Sequence, residues 1–226
     1  QANPSPELAK SKAGVLKAGV SGAGGDLLTR AVAGLWLLEE LGVDYEIVHH
    51  QRDAVTNLAP PELLAVHPLG KSPVIDDNGQ IVYESAAIVE YLCERHGGGH
   101  LVPARGTDDH TRYLEWIHFA EGSAMTPMLL NLYTARLGDA AAPLRPRIDQ
   151  QLESHFRYIE DCLLPSGWLV GDSMTGADIM VSFPAEAAVK MGWAGDKPKL
   201  TAYVEKIHAL PSWKTALEKG GPYAYA

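Results

Sequence analysis

The sequence predicts an α/β plus all-α chain. A small mixed sheet with helices on both faces occupies residues 13–96 in the order β-α-β-α-β-β-α, and helices alone fill residues 105–226. Three observations carry this. Residues 62–90 alternate between helical and strand patterns at sharp Pro and Gly breaks. Alternating strand patterns stop at the run His96-Gly97-Gly98-Gly99-His100. Beyond that run, apolar residues recur only every three or four positions, as on one face of a helix.

Taken in order, Val15-Leu16-Lys17 begins a first strand, and Gly22 to Gly25 form a loop. Leu35, Leu38 and Leu41 give a helical stripe that Gly42 closes. Val43, Tyr45 and Ile47 then alternate with Asp44 and Glu46, as in a half-buried strand. A second helix covers Pro60 to Val66, and Pro68, Gly70 and Pro73 hand it to a strand beginning PVI. Asp77-Asn78-Gly79 is a tight hairpin signal, after which QIVY pairs back. Glu84-Ser85 opens a helix whose apolar positions are Ile88, Val89, Tyr91 and Leu92. That element order is the order of a thioredoxin-like domain.

In the second half, Thr107-Asp108-Asp109 caps a helix through Tyr113, Leu114, Trp116 and Ile117, with Pro127 expected to bend or break it. Leu144, Ile148, Leu152, Phe156, Ile159 and Leu163 mark the next helix, ended by Pro165-Ser166-Gly167. Thr175-Gly176-Ala177-Asp178 is a capping box, which makes Asp178 a folding residue rather than an acid or base. Leu200 to Leu210 and Trp213 to Lys219 complete the helical part.

Composition narrows the function. With 226 residues and 46% hydrophobic content, the chain has enough apolar material for two modest cores. A net charge of −9 without a basic block argues against nucleic acid as the main partner. No apolar run is long enough to span a membrane, and residues 1–12 lack the pattern of a signal peptide. The two cysteines, Cys93 and Cys162, sit in helical patterns as buried reduced thiols, with no disulfide or metal spacing. A cytoplasmic setting fits that usage.

Residues 71–85 have chemical meaning beyond the fold. Ser72 precedes a proline at a strand start, where its N–H and C=O are open to an extended peptide. Ser85 and the free N–H groups of a helix start make a seat for a carboxylate, and the Glu84 carboxylate is placed to hold an ammonium group. One small ligand with a peptide edge, an α-amino group and an α-carboxylate satisfies all three.

The run HPLGKSPVIDDNGQIVYESAAIVEYL resembles the glutathione-binding segment of cytosolic glutathione transferases of bacterial type. The resemblance implies that Ser72 pairs with the cysteinyl part of glutathione and that Pro73 is the family's cis-proline. It implies that Glu84 and Ser85 hold the γ-glutamyl end and that Lys71 lies near the glycyl side. Glutathione would then be a co-substrate, its partner an electrophilic small molecule and the protein a homodimer. A hydrogen-bond donor near the first helix would stabilise the thiolate. Counting back from Trp36, the family's Ser-Arg-Ser reads Thr29-Arg30-Ala31 here, with about five residues inserted before it. Thr29 is thus the thiol-activating hydroxyl and Arg30 a supporting cation, with Ser21 the alternative donor and a simple helix cap the alternative role for Thr29. Tyr113, Trp116 and His118 are candidates to line a pocket for the second substrate between the domains, with core packing the expected role for at least Trp116. Isomerase, dehalogenase and ether-cleaving relatives share such a glutathione site, as does a non-catalytic glutathione or apolar-ligand carrier.

Overall fold

The structure, a computed structural model, describes residues 15–22 and 31–225. Its first half contains β1 (Leu16–Gly22), α1 (Ala31–Glu40), β2 (Tyr45–Gln51), α2 (Pro61–Val66), β3 (Val74–Asp77), β4 (Gln80–Tyr83) and α3 (Ser85–Arg95). The four strands form one sheet in the order β2-β1-β3-β4. β1 pairs parallel with β2 and antiparallel with β3, and β3 pairs antiparallel with β4. This is the mixed sheet that the element order requires. β1 runs further than its first residues suggest, through Ser21 and Gly22, because its partner β2 offers seven residues in register.

Alternation along β3 sends neighbours to opposite faces. Val74 joins Leu63 and Val66 of α2, with Val48, Ala59 and Ile81 around them. Ile75 instead shares a small apolar space with Ala18, Val20, Leu35, Leu38 and Ile88, on the side of α1 and α3. Helices therefore cover the sheet on both faces.

The second half holds α4 (Asp108–Phe119), a π-helical turn (Ala120–Ala124), α5 (Met125–Thr134), a 3₁₀ stretch (Ala135–Ala141), α6 (Arg145–Cys162), α7 (Gly176–Lys190), α8 (Pro198–Ala209) and α9 (Pro211–Gly220). The Thr107 cap is formed, its side chain accepting from the His110 N–H. Pro127 does not break the helix where expected. The disturbance lies just upstream, in the π turn at 120–124, and Pro127 falls in the first turn of α5. A proline has no N–H to give the preceding turn, so a widened turn ahead of it removes the conflict. Along α6, Ile148, Leu152, Phe156 and Ile159 are buried, whereas Leu144 precedes the helix and is exposed.

The chain divides into two compact units, Gln1–His100 with Leu210–Ala226 and Leu101–Ala209. The sequence places the last helix with the second half, but α9 belongs to the first unit. Its apolar face, Trp213 and Ala216, is buried, and Ser212 ties it to α1. Trp36 Nε1–H donates to Ser212 Oγ at 3.1 Å, and Ser212 Oγ–H donates to Glu40 Oε1 at 2.8 Å. Among the described residues no helix is long and apolar enough to cross a membrane.

Candidate functional site

The site is built around the β3–β4 hairpin. Asn78 and Gly79 both take positive φ, 53° and 91°, which a two-residue hairpin turn needs to match the twist of its strands. Asp76 Oδ1 accepts the Gly79 N–H at 2.7 Å and so closes the turn from inside. Asp77 turns to the far end of α3, where its Oδ2 bonds Tyr91 Oη at 2.9 Å and His96 Nε2 at 2.8 Å. Burial alone would raise the Asp77 carboxyl, but the His96 and Tyr91 bonds outweigh it and hold the pKa below the ordinary range. The turn end of the hairpin is thus anchored to the helix that follows.

The predicted ligand groups flank the open end of the hairpin. Val74 and Tyr83 form the last pair of β3–β4, so Pro73 directly precedes β3 where Glu84 directly follows β4. The Ser72–Pro73 peptide is cis. Ser72, Pro73 and Ser85 are half-buried, and Lys71 and Glu84 are exposed. Lys71 and Ser72 thus lie just before β3, and Glu84 and Ser85 lie at the passage from β4 into α3.

Glu84 has φ 70° and ψ 123°, a conformation that residues with a side chain rarely adopt. Its C=O accepts the first helical bond of α3, from the Ile88 N–H at 2.9 Å, and no side chain caps the helix. The N–H groups ahead of Ile88 have no acceptor within the helix. They form the positive end of its dipole, beside a carboxylate that points out to solvent.

Behind Ser72 lies a network absent from the sequence reading. Gly19 faces Val74 across β1–β3, and two residues further along that register Ser21 comes opposite Ser72. Their hydroxyls meet at 2.5 Å. Arg52, directly after β2, donates from Nε to Ser21 Oγ at 3.0 Å and from Nη2 to the Gly70 carbonyl at 2.8 Å. A third donor, Nη1, reaches the Asn57 carbonyl at 3.3 Å. Burial lowers the Arg52 pKa from its ordinary value, yet a guanidinium remains charged across the physiological range. Asp53 organises the adjoining turn by accepting from the N–H groups of Val55 and Thr56 and from the Thr56 hydroxyl. Ser21 itself is buried.

Comparison with known proteins places this arrangement. The family model for the "Glutathione S-transferase, N-terminal domain" matches residues 26–94, and that for the "Glutathione S-transferase, C-terminal domain" matches residues 125–220. A glutathione S-transferase of Actinobacillus pleuropneumoniae is 31% identical with a TM-score of 0.83, over 93% of this chain and 95% of that one. The chain belongs to the glutathione transferase superfamily. Glutathione S-transferase 1 of Saccharomyces cerevisiae is 28% identical over 214 residues, 84% of this chain and 91% of the relative. A Phanerochaete chrysosporium glutathione transferase, solved with oxidized glutathione, shares the fold at 24% identity and a TM-score of 0.75, over 93% of this chain and 96% of that one.

Thr29 and Arg30 lie outside the described residues. Tyr113 and Trp116 come together but in the interior of the second unit, 0% and 2% exposed. Tyr113 stacks on His110, and Trp116 packs on Phe119 and Tyr158. His118, two positions on, points to the opposite, exposed side of α4. Cys93 is fully buried, which pushes its thiol up to about 12 and makes it inert as a nucleophile. Cys162 is only half-buried. Arg52 escaped the sequence reading because it matches no motif. The one local signal was a lone arginine closing an alternating strand, directly before the turn-forming Asp53.

Proposed function

We propose that this transferase conjugates reduced glutathione to an electrophilic small molecule by stabilising the glutathione thiolate. The observation that carries the proposal is the strained backbone of Glu84 at the uncapped start of α3, directly after the strand that pairs with β3. A residue held in a rare conformation is a pointer to function, since the surrounding fold has to hold it there.

In this reading the Ser72 N–H and C=O pair with the cysteinyl residue of glutathione as a neighbouring strand would. The γ-glutamyl carboxylate sits on the Ser85 hydroxyl and the first N–H groups of α3, where the helix dipole favours an anion. The Glu84 carboxylate accepts from the γ-glutamyl ammonium, a charge-assisted bond. Lys71 lies toward the glycyl carboxylate, and Pro73 shapes the segment. The thiol then needs a donor, because too little of it is ionised at neutral pH to react quickly. Thr29 is assigned that role, with Arg30 adding positive charge. No covalent bond to the protein forms: the thiolate attacks the electrophile directly. The glutathione held by the Phanerochaete chrysosporium relative supports the ligand assignment. A homodimer in the cytoplasm completes the proposal.

Titration calorimetry of the purified chain with reduced glutathione tests it, with thiolate absorbance in the ultraviolet followed in the same sample. Binding together with a thiol pKa below that of free glutathione is the expected result. Binding without the shift removes the catalytic role and leaves a carrier, and no binding removes the site.

A further inference from the structure

We infer that Arg52 is the positioning residue of the glutathione site: it sets the Ser72 backbone edge without touching the ligand. The inference rests on the proposed pairing of Ser72 with the cysteinyl residue, and adds the device that holds that edge in place.

The geometry is specific. Four chain segments meet at one guanidinium: the end of β2 that bears it, Ser21 on β1, Asn57 in the turn before α2, and Gly70 in the approach to β3. The Arg52 N–H also bonds the Gly22 carbonyl at 3.0 Å, so the arginine's own backbone is tied to β1. From Arg52 two routes lead to Ser72. One runs through Ser21, whose oxygen accepts from Nε and is hydrogen-bonded to Ser72 Oγ. The other runs through the Gly70 carbonyl, two residues upstream on the same chain. Gly70 itself is held by its N–H to the His67 carbonyl at 2.8 Å, while Lys71 is exposed.

The fork matters as well as the charge. A guanidinium presents donors in a fixed plane, so contacts with Ser21, Asn57 and Gly70 constrain one another. A lysine at 52 keeps the charge but offers its donors from one nitrogen and cannot span those acceptors. Pre-set polar groups bind a peptide edge more tightly than groups that must be ordered on contact.

The test pairs two ligands with three variants. The ligands are glutathione and glutathione methylated on the cysteinyl amide nitrogen, which has lost the N–H that the Ser72 carbonyl accepts. Calorimetric Kd values are measured for wild type, Arg52→Gln, Arg52→Lys and Ser21→Ala, with circular dichroism of each. Wild type is expected to bind the methylated ligand about tenfold more weakly, the loss of one well-placed hydrogen bond. Arg52→Gln should lose about tenfold for glutathione but less than about twofold for the methylated ligand, because the edge it spoils is no longer used. Arg52→Lys should resemble Arg52→Gln. Ser21→Ala, which leaves the arginine's carbonyl contacts in place, should show the same selective loss at about threefold and serves if Arg52→Gln does not fold.

If wild type does not discriminate between the ligands, Ser72 pairing is wrong and the inference falls with it. If wild type discriminates but Arg52→Gln weakens the two ligands equally, the pairing stands and the positioning role is refuted. Full glutathione affinity in Arg52→Lys would reduce Arg52 to a charge and overturn the fork argument.

Discussion

Replacing Asp178 should destabilise the helical unit by an amount that can be worked out from its partners. The side chain is completely buried at the start of α7. Its Oδ2 accepts the Thr175 N–H at 2.8 Å and the Thr175 hydroxyl at 3.1 Å. Its Oδ1 accepts the Leu169 N–H at 3.1 Å and the Tyr203 hydroxyl at 3.2 Å. Tyr203 keeps a second acceptor, the Asp178 carbonyl, when the side chain is cut. Asp178→Ala therefore orphans two buried backbone N–H groups, at about 1–3 kcal/mol each, or roughly 2–6 kcal/mol together. In Asp178→Asn one side of the amide still accepts, but its NH₂ meets donors on the other, so the cost is nearer about 1–3 kcal/mol. Burial raises the carboxyl from 3.8 to about 6 even though Thr175, Leu169 and Tyr203 pull it down. A carboxyl raised in the folded state binds its proton more tightly there. Its stabilising contribution is thus full below the unfolded value and is lost as pH rises through the folded one. Between about pH 7.5 and about pH 5 the wild type should gain on the order of 1 kcal/mol that Asp178→Asn lacks. Urea unfolding followed by circular dichroism at those two pH values measures each term. Asp178→Ala within about 0.5 kcal/mol of wild type, or a gap between wild type and Asp178→Asn that narrows on acidification, would refute the reasoning.

The other predictions concern the first unit and the assembly. Glu84→Ala and Ser85→Ala should each weaken glutathione binding about tenfold or more in calorimetry while leaving the melting temperature within a few degrees, as loss of a charge-assisted bond predicts. Normal binding in both would displace the γ-glutamyl seat. Thr29→Ala should spare glutathione affinity but lower conjugation at least about tenfold, read as kcat with a chromogenic electrophile; unchanged turnover moves the donor elsewhere. Gly70→Ala should cost about 2–4 kcal/mol in urea unfolding, because φ is +56° and an added Cβ would lie 2.4 Å from the Ala59 Cβ. Light scattering should give about twice the mass of one chain, and a monomer mass would count against the homodimer.

What was legible follows the range of the interactions concerned. The hairpin is specified within a few residues: Asn78-Gly79 supplies the turn, and alternation in VID and QIV supplies the faces. The helical stripe of α6 and the box at Thr175 are equally local, and the structure holds both. Lys71, Ser72, Glu84 and Ser85 can be nominated from the sequence because one hairpin joins them. Arg52 lies 31 residues from Ser21 and 18 from Gly70, and no local pattern signals a contact over that span. The place of α9 was hidden for the same reason. Its stripe shows that it packs but not on what, and the answer is α1, more than 170 residues back. Tyr113 and Trp116 show the reverse case. Aromatic residues three apart on a helix share a face, but periodicity does not distinguish a face that meets the core from one that meets a ligand.

These ranges bear on how the site is held. The hairpin that carries Ser72 and leads into Glu84 is short, four residues a side, and a pair of strands that size has little stability of its own. Its turn end is tied through Asp77 to Tyr91 and His96, and its open end through Ser72 to Ser21 and Arg52. The anchors come from α3 and its C-terminal end, β1 and the end of β2. The unusual backbone at Glu84 lies between the two tethers, where relaxation would require α3 or the hairpin to shift. A strained conformation persists only where its surroundings over-determine it. Here the surroundings are polar bonds made at a distance along the chain. The local sequence accordingly supplies the groups that meet the ligand, and the long-range bonds supply the rigidity that lets those groups bind without being ordered first.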